Sequence, residues 1–274
     1  MSKKNSLNLF LLLIVAMLIG IIYFSENESS ELERLSTIDI TSIKTIIIQR
    51  KGNNTVINKQ TATDWMIKQP IDIAANKFRI NSILKIINAP VHSRYAINTI
   101  NLVSIGLDNS ATTISLNGHL IEFGIINPVT NLRYVKFKNM IYTIEDVYYP
   151  LINSHFGTLV SFKLLPANNK VSKLILLNQT IAKDDNGLWQ SNISITADNI
   201  IKTIDHWQTI QAFGVHAYLK RKILGEVFVY TDKQQEPISY VITDIDPWLI
   251  LARPELGLEY HLDLDAYEQL ITAK

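Results

Sequence analysis

Residues 146–152 read Asp-Val-Tyr-Tyr-Pro-Leu-Ile, and residues 265–271 read Asp-Ala-Tyr-Glu-Gln-Leu-Ile. The shared pattern Asp-x-Tyr-x-x-Leu-Ile recurs 119 positions apart with no gap. A motif that closes two long segments in the same way constrains the fold strongly, because it implies one structural unit used twice. The preceding elements follow the same order in both halves. In the first, short β-type runs at Ile43–Gln49, Thr55–Asn58 and Trp65–Lys68 lead to a helical period over 76–89, with Ile80, Ile83, Leu84 and Ile87 on one face. A hairpin over 112–124 turns at Asn117-Gly118, residue types that accept positive φ, and strands at 132–138 and 140–144 follow. The second half runs through strands at 171–178 and 180–191, which turn at Asp184–Gly187, then a helix over 196–211 capped by Thr196 or Asp198. Strands at 225–232, 238–244, 248–252 and 258–262 complete it. Trp65 and Trp189 fall on equivalent strands, and Asp146 and Asp265 are expected to N-cap two short closing helices.

The expected fold is therefore α+β: two tandem repeats, 38–153 and 167–274, joined by a junction at 154–166. Each is a mainly antiparallel sheet on one longer helix with a short closing helix. The 18 residues from Leu7 to Phe24 carry no charge, a helix of about 27 Å at 1.5 Å per residue. Lys3 and Lys4 precede this run, whereas Glu26, Glu28, Glu31 and Glu33 follow it. Residues 1–25 are thus expected to be a cytoplasmic tip and a single-pass transmembrane anchor, and 26–37 a polar spacer. The run is longer than an ordinary signal core and no Ala-x-Ala site follows it, so an uncleaved anchor is expected over a signal peptide.

Lys+Arg 26 against Asp+Glu 25 gives no basic patch for phosphates, so nucleic acid is not expected as a partner. The chain has no cysteine, which removes disulfides, thiolate metal sites and cysteine nucleophiles. No nucleophile elbow, metalloprotease helix motif or phosphate loop occurs. The histidines at 92, 119, 155, 206, 216 and 261 have no helical metal-ligand spacing. Asp244 with Asp246 and Asp263 with Asp265 are the best acidic pairs, a thin basis for a cation site or a hydrolase. A turn before Pro247 and a helix cap explain them as well. Asp108 is expected to bond nearby amides in a turn. Trp65, Trp189, Trp207 and Trp248 are expected in the core, with sugar stacking as their functional alternative. No catalytic residue, metal ligand or cofactor is expected, and no ligand-binding residue is assigned.

The run from Asp64 to Pro70, the stretch 74–89, Gly106-Leu107-Asp108 with the following hairpin, residues 132–152 and Leu159–Pro166 together resemble the bacterial domain-of-unknown-function family numbered 4340. The second half departs from it, with Gly225-Glu226-Val227 in place of Gly-Leu-Asp. The resemblance implies a membrane-anchored envelope protein with tandem α/β repeats, in some cases beside ABC-type export systems. The expected function is then a non-enzymatic accessory or scaffold of the bacterial inner membrane, with its C-terminal ectodomain in the periplasm and membrane proteins such as transporter subunits as partners. The alternative is a module that binds a glycan or other envelope ligand between the repeats.

Overall fold

The structure, a computed structural model, describes residues 3–25 and 32–272, with side chains of the first helix described over 8–21. That helix, α1, spans Lys3–Ser25. Its apolar side chains from Leu9 to Ile21 are exposed on all sides and pack on no other element. Among the described residues no helix is long and apolar enough to cross a membrane.

Beyond residue 32 the chain is α+β. The first repeat contains β1 (Thr45–Arg50), β2 (Asn53–Lys59), β3 (Trp65–Gln69), β4 (Ile73–Ala74), α2 (Lys77–Leu84), β5 (Ser93–Ala96), β6 (Thr112–Leu116), β7 (His119–Ile126), β8 (Leu132–Phe137), β9 (Met140–Glu145) and α3 (Tyr149–Asn153). The second contains β10 (Val171–Ile175), β11 (Thr180–Lys183), β12 (Trp189–Ser191), α4 (Ala197–Thr209), β13 (Gly214–Ala217), β14 (Gly225–Thr231), β15 (Ile238–Asp244), β16 (Leu249–Arg253), β17 (Leu258–Leu262) and α5 (Asp265–Tyr267), which runs on into a π-turn over Glu268–Thr272.

The sheet orders are β4-β3-β2-β1-β6-β7-β8-β9-β5 and β12-β11-β10-β14-β15-β16-β17-β13. Apart from β4 the two are the same antiparallel topology, strand for strand, as a duplication requires. The tryptophans confirm the match. Lys59 pairs with Trp65 between β2 and β3, and Lys183 with Trp189 between β11 and β12. In both cases the lysine ammonium lies over the ring, at 5.7 Å and 5.3 Å.

Alternation of buried and half-buried residues in β1, β6 and β8 turns one face of the first sheet inward. Ile46, Ile48, Ile114, Val135 and Phe137 share that core with Ile80, Ile83 and Leu84 of α2. The helix ends earlier than its period suggests: residues 85–88 tighten into a 3₁₀ turn, where Asn88 Nδ2 donates to the carbonyls of Ser36 and Ile38. The hairpin turn falls at Asn117 (φ 49°) and Gly118 (φ 87°), and Thr196 caps α4 by accepting from the Asn199 amide.

The closing helices form, but neither is capped by its aspartate. Asp146 is drawn aside by the buried guanidinium of Arg133 on β8, which bonds both carboxylate oxygens. Helix α3 starts instead at Tyr149-Pro150, where proline supplies helical φ and needs no donor. Asp265 lies inside the first turn of α5 and makes no capping bond.

The outer face of the first sheet is covered by the connector between β5 and β6. Its Ile105 and Leu107 pack on Ile141 of β9, flanked by Tyr95 and Tyr134. Gly124 lets the connector approach, since a Cβ there would stand 2.3 Å from the Ile105 carbonyl oxygen.

Candidate functional site

Asn76 fixes the start of α2 at the edge of the first repeat. Its Oδ1 accepts from the amides of Phe78 and Arg79, and its own amide donates to the Leu159 carbonyl, which fastens the helix to the junction. The apolar face of α2 is used inward, so Phe78 points into solvent and is 72% exposed. Residues of the closing segment stand opposite: Val147, itself 64% exposed, with Pro150, Leu151 and Ser154. Thr158 and Phe162 of the junction and Gln211 of the second repeat complete an open groove of about 730 Å³. The Arg79 guanidinium lies 5.7 Å above the Phe162 ring, so the groove has an apolar floor with a cation at its side. Among the described residues no carboxylate lines it. A surface of this kind can take apolar side chains together with an acid or a hydroxyl.

The closing segment also bounds a second groove of about 460 Å³, lined by Leu32, Arg34, Ile40, Lys85, Asn88, Pro90 and Tyr148. Burial and the nearby Glu145 carboxylate raise the Tyr148 phenol above its ordinary value, so it is a neutral donor there. The motif singled out by its repetition therefore forms a ridge, with Tyr148 facing one groove and Val147, Pro150 and Leu151 the other.

The acidic pairs do not assemble into a site. Asp244 Oδ1 accepts from the amides of Ile245 and Asp246, as a turn before Pro247 requires. Among the described residues no group of three or more histidine or acidic side chains is placed to hold a metal ion. Asp108 is exposed and, contrary to expectation, makes no hydrogen bond among the described residues. Gly106, with φ 68°, ends a 3₁₀ turn, and its amide donates to the Val103 carbonyl. Trp65 and Trp207 are buried, the latter donating to the Leu270 carbonyl at 3.0 Å. Trp248 is not in the core.

Two clusters carry no local sequence signal. In the first, Arg133 binds Asp146 and the Gly124 carbonyl, and its guanidinium stacks 3.6 Å from the Tyr149 ring. In the second, Glu259 on β17 binds Arg221 and His261. Only the alternation of Glu259 and His261 in Leu-Glu-Tyr-His-Leu hinted that both face one side.

No family model, no curated protein and no solved structure matches the chain.

Proposed function

We propose that the protein is a non-enzymatic accessory or scaffold anchored in the bacterial inner membrane through α1, with the two-repeat body on the periplasmic side and other membrane proteins, such as transporter subunits, as its partners. The observation that carries this reading is α1 itself: a helix apolar on every side whose described side chains pack on nothing in the chain. In water such a surface is costly, and a hydrocarbon surrounding removes that cost. The uncharged run of Leu7–Phe24, with lysines before it and glutamates after it, supports the orientation. The apolar groove between α2 and the closing segment supplies a docking surface of the kind a scaffold needs.

A reporter enzyme that works only outside the cytoplasm, fused after Lys274, should be active, and the chain should stay with membranes through alkaline extraction. An inactive fusion, or release into the alkaline supernatant, defeats the anchored reading. For the scaffold, the full chain extracted in detergent should migrate as a complex with a membrane protein, and Phe78→Asp should break that complex without lowering Tm.

The same groove favours a second reading, a module that holds an envelope ligand between the repeats, because residues of both repeats and the junction line it. Under that reading Phe78→Asp abolishes ligand binding while the chain purifies alone.

A further inference from the structure

In the first repeat the connector between β5 and β6, residues 97–111, covers the outer sheet face. In the second, the equivalent connector between β13 and β14 is residues 218–224, about half as long. Strand pairing sets Tyr95 opposite Ile141 in one sheet and His216 opposite Glu259 at the matching place in the other. The apolar, covered position of the first repeat thus becomes polar in the second, with His216 exposed and Glu259 buried.

Four rings form a continuous surface there. Phe213 stands edge-on to Trp248 at 5.5 Å, Trp248 lies 6.2 Å from His261, and His261 lies 4.6 Å from His216. Trp248 is 47% exposed and Phe213 46%, so two large apolar faces are offered to solvent side by side. Beneath them Glu259, 1% exposed, accepts from Arg221 at 2.7 and 3.2 Å, from the Leu219 amide at 2.9 Å and from His261 Nε2 at 2.8 Å. These bonds fix the His261 ring and the Arg221 guanidinium. With Nε2–H given to the carboxylate, the Nδ1 of His261 is left for another hydrogen bond. Burial first, and then His261, lowers the pKa of His216, so its ring is neutral near pH 7, with one donor and one acceptor.

Among the charged groups that act on this patch, the Arg221 and Arg79 guanidiniums are matched in number by the Glu259 and Asp244 carboxylates. A polyanion or polycation gains nothing from such a surface. A pyranose does. One of its faces is C–H groups, which stack on aromatic rings, and its rim is hydroxyls, which need partners that both give and accept hydrogen bonds. We propose that this outer face of β13, β16 and β17 binds a neutral oligosaccharide, with Trp248 and Phe213 stacking on sugar faces and His216 and His261 bonding its hydroxyls. Its four rings do not include the Phe78 and Phe162 that line the groove between the repeats, although Arg79 of that groove acts on His216.

The test is calorimetric titration of the full chain in an amine-oxide detergent, which carries no sugar headgroup, with chitohexaose, cellohexaose, maltohexaose and a heparin hexasaccharide. At least one neutral hexasaccharide should bind. Trp248→Ala should weaken it about threefold to tenfold, the worth of one aromatic contact. His216→Ala, at an exposed position, should weaken it with Tm unchanged, whereas Trp189→Ala, an aromatic on the opposite edge of the sheet, should leave it intact. If none of the three neutral sugars binds, if heparin alone binds and salt removes it, or if the Trp248 and His216 variants both bind like the parent, the proposal is overturned.

Discussion

Glu259 shows how much one buried charge depends on its neighbours. Burial by itself would raise its carboxyl pKa, but the Arg221 guanidinium, the Leu219 amide and His261 outweigh burial and hold it below the usual glutamate range. A depressed carboxyl pKa stabilises the fold above the unfolded value, about 4.3, and this contribution is lost as pH falls through the lower folded value. Glu259→Gln keeps the shape and removes the charge. It should cost about 1.5–3 kcal/mol at pH 7, in the range of hydrogen bonds to charged groups. Chemical denaturation followed from pH 7 to pH 3 should show the parent losing stability faster than the variant below about pH 4.3, so that the two curves converge. Parallel curves over that range would mean that Arg221 and His261 do not hold the carboxylate ionised.

At the scale of elements, the two closing segments have one sequence pattern and two structural solutions. Leu270 is fully buried and the Trp207 indole donates to its carbonyl, so Leu270→Ala should cost about 2–5 kcal/mol and lower Tm. Asp265 caps nothing, and Asp265→Ala should fall within about 0.5 kcal/mol of the parent. Asp146→Ala should behave quite differently, because it leaves the buried Arg133 without its carboxylate, at a cost of about 3–5 kcal/mol. Equal losses from the two aspartates would contradict this division of roles. The same contrast shows what could be read from the sequence. Strands with clean alternation, the Asn117-Gly118 turn and the Thr196 cap were legible because each rests on neighbours a few residues away. Edge strands β5 and β13 were missed: four residues each, Ser-Arg-Tyr-Ala and Gly-Val-His-Ala carry too little pattern, and pairing with β9 and β17 makes them strands. The candidate site was legible only in fragments. Trp248 could be named as an aromatic, but its exposure is set by the surrounding fold, and Glu259 meets Arg221 from 38 residues away in the chain.

At the scale of the whole molecule, duplication would allow two independent domains, but the junction joins them into one core. On the first-repeat side Ala75 bridges to Val160 and the Ser161 amide donates to the Ala74 carbonyl. On the second, Lys163 bridges to Gln211 and the Ala212 amide donates to the Phe162 carbonyl. The buried hydroxyl of Tyr240 donates to the Leu164 carbonyl. Leu159, Val160, Leu164 and Leu165 are buried in a single apolar cluster that runs through both repeats. Half of that cluster would be left in water if either repeat unfolded alone, so the two should melt as one cooperative unit. Trp65 and Trp207, buried in the first and second repeat respectively, are natural reporters. In variants that keep only one of them, with the other tryptophans changed to phenylalanine, urea unfolding of the full chain should give the same midpoint from either indole. Leu159→Ala, at the centre of the junction, should lower both midpoints together by the equivalent of about 2–5 kcal/mol. Two separated midpoints, or a Leu159 effect confined to the Trp65 signal, would show that the repeats are autonomous and that the junction is a tether instead of shared core.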